Sequence, residues 1–122
     1  MSPAVLRLAS LLTLLQYSAH AYLFLSRVTP QAPTFGYGLI AILSGVVESI
    51  LLWLLASLAR VEPLRVRPFV VLMICANAAH ACLVWRYFGI PIAIAFDLAI
   101  ALILVLVLAL TGRRLRKGPT LA

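Results

Sequence analysis

Charged residues are scarce in this sequence, and acidic residues are the scarcest. Of the 122 residues, 11% are charged, and only Glu48, Glu62 and Asp97 are acidic. A soluble domain carries roughly 25% charged residues and roughly 45–50% apolar ones, whereas 65% of this chain is hydrophobic. The shortage of charge therefore argues against a soluble domain.

Long apolar stretches take up most of the chain. Several of them reach about 20 residues, the length that a helix needs to cross a hydrocarbon core of roughly 30 Å. Proline, glycine and charged residues separate these stretches. The sequence therefore predicts one all-α integral membrane domain. Its expected spans are residues 4–26, 37–60, 68–88 and 91–111, followed by a basic tail at residues 112–122.

Cysteine and the familiar site motifs are also rare or absent. Cys75 and Cys82 are the only cysteines. On one helix they are separated by roughly 10 Å along the axis, which is too far for a disulfide bond. The chain has no phosphate-binding loop, no Gly-x-Ser-x-Gly, no His-Glu-x-x-His and no Cys-x-x-Cys-His. We therefore expect a protein that is not an enzyme.

The net charge of +7 is a signal of membrane topology rather than of nucleic-acid binding. Eight of the ten basic residues lie on the side of the predicted spans that holds both termini, and only Arg27 and Arg86 lie on the other side. Cytoplasmic loops carry an excess of Lys and Arg. We therefore expect an antiparallel four-helix bundle in a membrane, with both termini in the cytoplasm.

The two histidines of the chain both fall inside predicted spans. His20 and His80 each lie in an Ala-His-Ala triplet, on the first and third spans. At a rise of about 1.5 Å per residue, both histidines and Asp97 are expected about 10 Å below the outer surface. Glu48 is expected near the middle of the bilayer. The predicted ligand or ion cluster consists of His20, Glu48, His80 and Asp97.

Three further polar residues are expected to support this cluster. Each lies three or four positions before a member of it, and such pairs share a helix face. They are Gln16, Ser44 and Asn77. Because polar groups are costly in contact with lipid, all of these side chains are predicted to face the interior.

Small residues indicate which faces of the helices meet. Gly45 lies on the face of Glu48, and such residues let membrane helices approach closely. Leu106 lies nine residues after Asp97, which is two and a half helical turns, so it is expected to face lipid.

Three functions remain open from the sequence. The leading one is binding of a small or lipophilic ligand, or service as an accessory subunit of a larger membrane complex. The second is a b-type haem protein in which His20 and His80 are the axial ligands. The third is proton or metal-ion transport as a homo-oligomer, since 122 residues make a narrow pore. The expected partners are the lipid bilayer and other membrane subunits or further copies, with no nucleic acid.

Four segments combine apolar, arginine and aromatic residues in a recognisable pattern. They are residues 6–12 (LRLASLL), 52–60 (LWLLASLAR), 67–68 (RP) and 85–88 (WRYF). Together they resemble a family of small uncharacterised bacterial four-span integral membrane proteins. His20 matches a histidine of that family, and Ala19 replaces the glycine before it. Because the family has no established activity, the resemblance implies four spans and no mechanism.

Overall fold

The computed structural model describes residues 2–116, and every regular element in this range is an α-helix. The four helices are α1 (Pro3–Arg27), α2 (Phe35–Leu58), α3 (Pro63–Tyr87) and α4 (Pro91–Arg116). All four are long and apolar enough to cross a membrane, α4 over Pro91–Thr111. The predicted all-α class with four candidate spans is therefore confirmed.

The predicted limits of the spans differ from the observed helices by more than two residues at two places. α3 begins at Pro63 instead of residue 68, because proline is accepted in a first helical turn, and Pro68 lies inside the helix. α4 continues past Thr111 to Arg116, since one glycine costs a helix only about 1 kcal/mol. The end of the predicted basic tail, residues 117–122, lies outside the described residues.

Proline and glycine define the ends of the helices. α1, α3 and α4 all begin at a proline, whose missing N–H would be unpaired in a first turn anyway. Between α3 and α4, Gly89 has a φ of 60°, a left-handed conformation that glycine adopts readily. Its N–H donates a hydrogen bond to the carbonyl of Val84 (2.8 Å). This turn lets α4 follow α3 after only three residues.

The four helices do not pack equally against one another. α1 packs against α2 and α4, and α3 packs against α4, whereas α2 and α3 scarcely touch. The order of neighbours is therefore α2, α1, α4, α3, with an opening between the first and the last.

Two glycines on α2 allow its close approach to α1. The Tyr17 ring covers Gly45, and the Phe24 ring covers Gly38. A Cβ atom at either glycine would collide with the ring above it. Gly45 thus faces the interior, as predicted.

A pair of serines also joins α1 to α2. The Ser10 hydroxyl donates to the carbonyl of Ser49 (2.8 Å), and the Ser49 hydroxyl donates to the carbonyl of Ser10 (2.9 Å). Both residues are buried. Small side chains at this position bring the two backbones within reach of these reciprocal bonds.

The apolar core lies in the half of the molecule that contains both chain ends. It is formed by the first turns of α1, the first half of α3, the last turns of α2 and the middle of α4. Its largest fully buried apolar side chains are Leu6, Leu52, Val66, Val70, Ile100, Leu104 and Val107. Many other large apolar side chains are exposed, including Leu106 as predicted. Such a surface suits contact with lipid.

Candidate functional site

Asp97 is the centre of a polar contact among three helices. It is 2% exposed. Gln16 of α1 donates through Nε2 to Oδ1 of Asp97 (2.7 Å), and Nδ1 of His80 on α3 lies 2.9 Å from Oδ2. In the His80 tautomer that carries its proton on Nδ1, this atom donates to Oδ2. Both oxygens of Asp97 are therefore occupied.

Helical spacing explains why Asp97 faces inward. On α4, the residues Asp97, Ile100, Ala101 and Leu104 are all buried and follow one stripe of the helix. Ala101 is small, so α1 and α3 can approach this stripe closely. Asp97 therefore faces the same interior as the apolar core and lies one helical turn before Ile100, the first core residue on α4.

Glu48 takes part in a second polar contact. The Nδ2 atom of Asn77 on α3 donates to Oε1 of Glu48 on α2 (2.6 Å) and also to the carbonyl of Met73 (2.9 Å). Asn77 is buried, and Glu48 is half-buried. Among residues 2–111, this is the only side-chain hydrogen bond between α2 and α3.

The polar side chains form two hydrogen-bonded groups where the sequence suggested a single cluster. One group contains Gln16, His80 and Asp97, and the other contains Glu48 and Asn77. They meet on α3, because Asn77 and His80 are three residues apart and share a face. No hydrogen bond within the described part of the chain connects the two groups.

His20 does not face the interior, contrary to the prediction. Its side chain is exposed and stacks on Phe24, with ring centroids 6.2 Å apart. The α1 side chain next to His80 is Tyr17, at a ring distance of 6.1 Å. The larger Tyr17 ring, which also covers Gly45, fills the space that His20 was expected to occupy.

Ser44 does not support Glu48 through a hydrogen bond. It is exposed, and its hydroxyl donates to the carbonyl of Ile40 in its own helix (2.8 Å). Serine commonly satisfies itself in this way inside helices. Ser44 is nevertheless close to Glu48, because both line the opening between α2 and α3.

That opening is a groove of about 520 Å³, which we call the α2–α3 groove. Glu48 and Ser44 are the only polar residues among its lining side chains. The other lining residues are aliphatic or methionine. They include Val47, Leu51, Leu72, Met73 and Ala76.

Two features of the site were missed by sequence reasoning. Tyr17 was given no role, although its seven-residue spacing from Phe24 matches the spacing of Gly45 from Gly38. This matched spacing was a usable signal for the contact of α1 with α2. The Oε1 atom of Gln16 is also buried without a hydrogen-bond partner in the part of the chain that is described. It can accept one further donor, such as water.

The residues available to hold a metal ion or haem are few. Among the described residues, no group of three or more His, Cys, Asp and Glu side chains is arranged to bind a metal ion. A haem with two histidine ligands needs both imidazoles to face one gap between helices. His80 faces Asp97, whereas His20 faces outward. This arrangement favours the ligand-binding hypothesis over the haem hypothesis.

Comparison with known proteins found no family model, no curated protein and no solved structure that matches this chain. Similarity to other proteins therefore assigns no role to these side chains, and their chemistry follows from geometry and charge alone.

Proposed function

We propose that this chain is a multi-pass protein of the bacterial inner membrane that binds a small lipophilic ligand in the α2–α3 groove and catalyses no reaction. The observation that carries the proposal is Glu48, which lines a mainly apolar groove and accepts a hydrogen bond from the buried Asn77 behind it (2.6 Å). Ligand sites are typically apolar concavities in which a few polar groups fix orientation. The α2–α3 groove has this composition.

The proposed architecture is an antiparallel four-helix bundle with both termini in the cytoplasm. Early residues of α1 meet late residues of α2, as in the contact of Ser10 with Ser49, and late residues meet early ones, as in the contact of Phe24 with Gly38. This order supports an antiparallel pair. The excess of arginine and lysine at the end that holds both termini supports the orientation.

The depth of Glu48 supports entry of the ligand from the bilayer. Glu48 is about 20 Å from the start of α2 at Phe35 and about 15 Å from its end at Leu58. It therefore lies near the middle of a spanning helix. A polar group at this depth is expensive in contact with lipid and is a functional candidate by default. A ligand that reaches it sideways must itself be soluble in hydrocarbon.

The group around Asp97 has a different role in this proposal. Its two oxygens are occupied and its side chain is buried, so it is a structural contact that holds α1, α3 and α4 together. With these three helices fixed and α2 held by α1, the α2–α3 groove stays open. The alternative of proton or ion transport would need a connection between this group and Glu48.

The experiment uses the neutral fluorescent probe diphenylhexatriene with the purified protein in a non-ionic detergent. Energy transfer from tryptophan to the probe should rise to saturation. Ala76→Leu places a larger side chain in the α2–α3 groove and should weaken binding about tenfold, which corresponds to about 1.4 kcal/mol. Ala99→Leu is the matched control, because Ala99 is an exposed alanine of α4 outside the groove.

Two results would overturn this proposal. The first is Ala76→Leu protein that binds the probe as tightly as the wild type and the Ala99→Leu control. The second is a Soret band in the absorption spectrum after supplementation with haem, lost in His80→Ala, which would favour the haem alternative. If another membrane subunit instead covers the groove, the complex of the two proteins should not bind the probe. The chain should then bind the probe only after that subunit is removed.

A further inference from the structure

We infer that the ligand of the α2–α3 groove is a lipophilic cation, meaning an apolar molecule that carries an ammonium or similar positive group. This inference rests on the proposed function and adds the charge of the ligand to it. The observations behind it are the hydrogen bonds of Glu48, the placement of the basic residues and the lining of the groove.

The two carboxylates inside the helices differ in how far they are satisfied. Asp97 is buried, and each of its oxygens has a partner, Gln16 or His80. Glu48 is half-buried, and within the described residues it accepts a single hydrogen bond, from Asn77 to Oε1. A carboxylate can accept about four hydrogen bonds on its two oxygens. Glu48 therefore has acceptor capacity left on the groove side.

No basic side chain in residues 2–111 pairs with Glu48. The salt bridges in residues 2–111 are those of Arg65 with Glu62 and of His80 with Asp97. Arg60, the nearest arginine in sequence, follows the end of α2, which is about 15 Å along the axis from Glu48. An ionised Glu48 therefore has no partner of opposite charge among these residues, and a cationic group in the groove would supply one. Attraction between opposite charges is strong in surroundings of low dielectric constant.

The lining of the groove determines what kind of cation fits. A calcium ion takes about six to eight oxygen ligands, and magnesium retains several waters. Here Glu48 is the only carboxylate, and the Ser44 hydroxyl is already bonded to Ile40. Leu43 and Leu72 at the groove are exposed and apolar. An organic cation with an apolar body matches both parts of this lining, whereas a hydrated inorganic ion does not match the apolar part.

The test compares two probes with the same apolar body. Diphenylhexatriene is neutral, and its trimethylammonium derivative carries one positive charge. Glu48→Gln removes the charge while keeping an oxygen for Asn77, so the protein should still fold, which a thermal melt checks. We expect Glu48→Gln to weaken binding of the cationic probe about tenfold, or about 1.4 kcal/mol. Binding of the neutral probe should not change.

Glu62→Gln is the control for loss of one acidic residue. Glu62 lies just before α3, outside the α2–α3 groove, and pairs with Arg65 (2.6 Å), so its loss should leave both probes unaffected. If Glu48→Gln weakens neither probe, or weakens both equally, the cation inference is wrong, and saturable binding of the neutral probe still supports the proposed function. If neither probe binds the wild type saturably, both fail.

Discussion

The ring of Tyr17 on α1 covers Gly45 on α2 so closely that no Cβ atom fits at position 45. Small residues commonly allow such approaches between membrane helices. The same ring lies 6.1 Å from that of His80 on α3. Tyr17 therefore connects the tight contact between α1 and α2 to the polar group around Asp97.

Gly45→Ala should destabilise the protein, because the new methyl group collides with Tyr17. Overpacking typically costs about 1–3 kcal/mol. Gly36→Ala is the matched control in the same helix, since nothing lies within 4 Å of a Cβ at that position. The measurement is the unfolding temperature in detergent. Equal shifts for the two variants would mean that Gly45 does not need to be glycine.

A second change tests the same contact from the other side. Tyr17→Ala should recover part of the stability lost in Gly45→Ala, because it removes the ring that the methyl group meets. As a comparison at a lipid-facing position, Leu106→Ala should cost much less stability than Gly45→Ala, since Leu106 is exposed and lipid or detergent can fill the gap. The collision would be contradicted if the Tyr17→Ala/Gly45→Ala double variant lost more stability than the two single variants lose together.

The features that follow from helical periodicity were predictable, and those that depend on the spacing of helices were not. Hydropathy gave the four helices, and spacing from polar residues placed Gly45 inside and Leu106 outside. The same rule placed His20 inside with Gln16, and there it failed. Four residues turn a helix by about 400°, so His20 is displaced by about 40° from Gln16, and the Tyr17 ring already fills the neighbouring space.

The α2–α3 groove had no signal in the sequence. α2 and α3 are joined by a short connection, and such connections usually join helices that pack as antiparallel neighbours. Their separation depends instead on the glycines that draw α2 towards α1 and on the contacts that hold α3 against α4. Periodicity assigns a residue to a face, but it does not give the distance between two faces. Glu48 was therefore assigned to the interior, while the structure places it on an open groove.

The contact of His80 with Asp97 should appear as energetic coupling. In a double-mutant cycle, His80→Ala and Asp97→Ala should each destabilise, and the double change should cost less than their sum. Coupling between contacting polar groups is typically about 0.5–3 kcal/mol, and in membranes it averages about 0.6 kcal/mol. His20→Ala is the control, because His20 is exposed and has no hydrogen bond among the described residues. Additive effects would indicate that the 2.9 Å contact contributes nothing.

The serine pair should contribute to the association of α1 with α2. Ser10→Ala and Ser49→Ala each remove one hydroxyl donor from the reciprocal bonds at 2.8 Å and 2.9 Å. We expect a loss of about 0.6 kcal/mol for each change, the average for hydrogen bonds between membrane helices. Ser18→Ala is the control on α1, because Ser18 is exposed. If all three variants unfold at the same temperature, the pair is not stabilising.

The orientation of the chain can be tested with reporter fusions. Fusions at Leu64 and Leu121 should report the cytoplasm, and a fusion at Gln31 should report the outer side, because the basic residues gather near the first two positions. In this orientation the apolar core lies in the cytoplasmic half, and Asp97, six residues into α4, lies in the outer half. A reporter at Leu121 that is active only on the outer side would reverse both assignments. Glu48 would stay near the middle of the bilayer in either case, so this test leaves the groove experiments independent of the orientation.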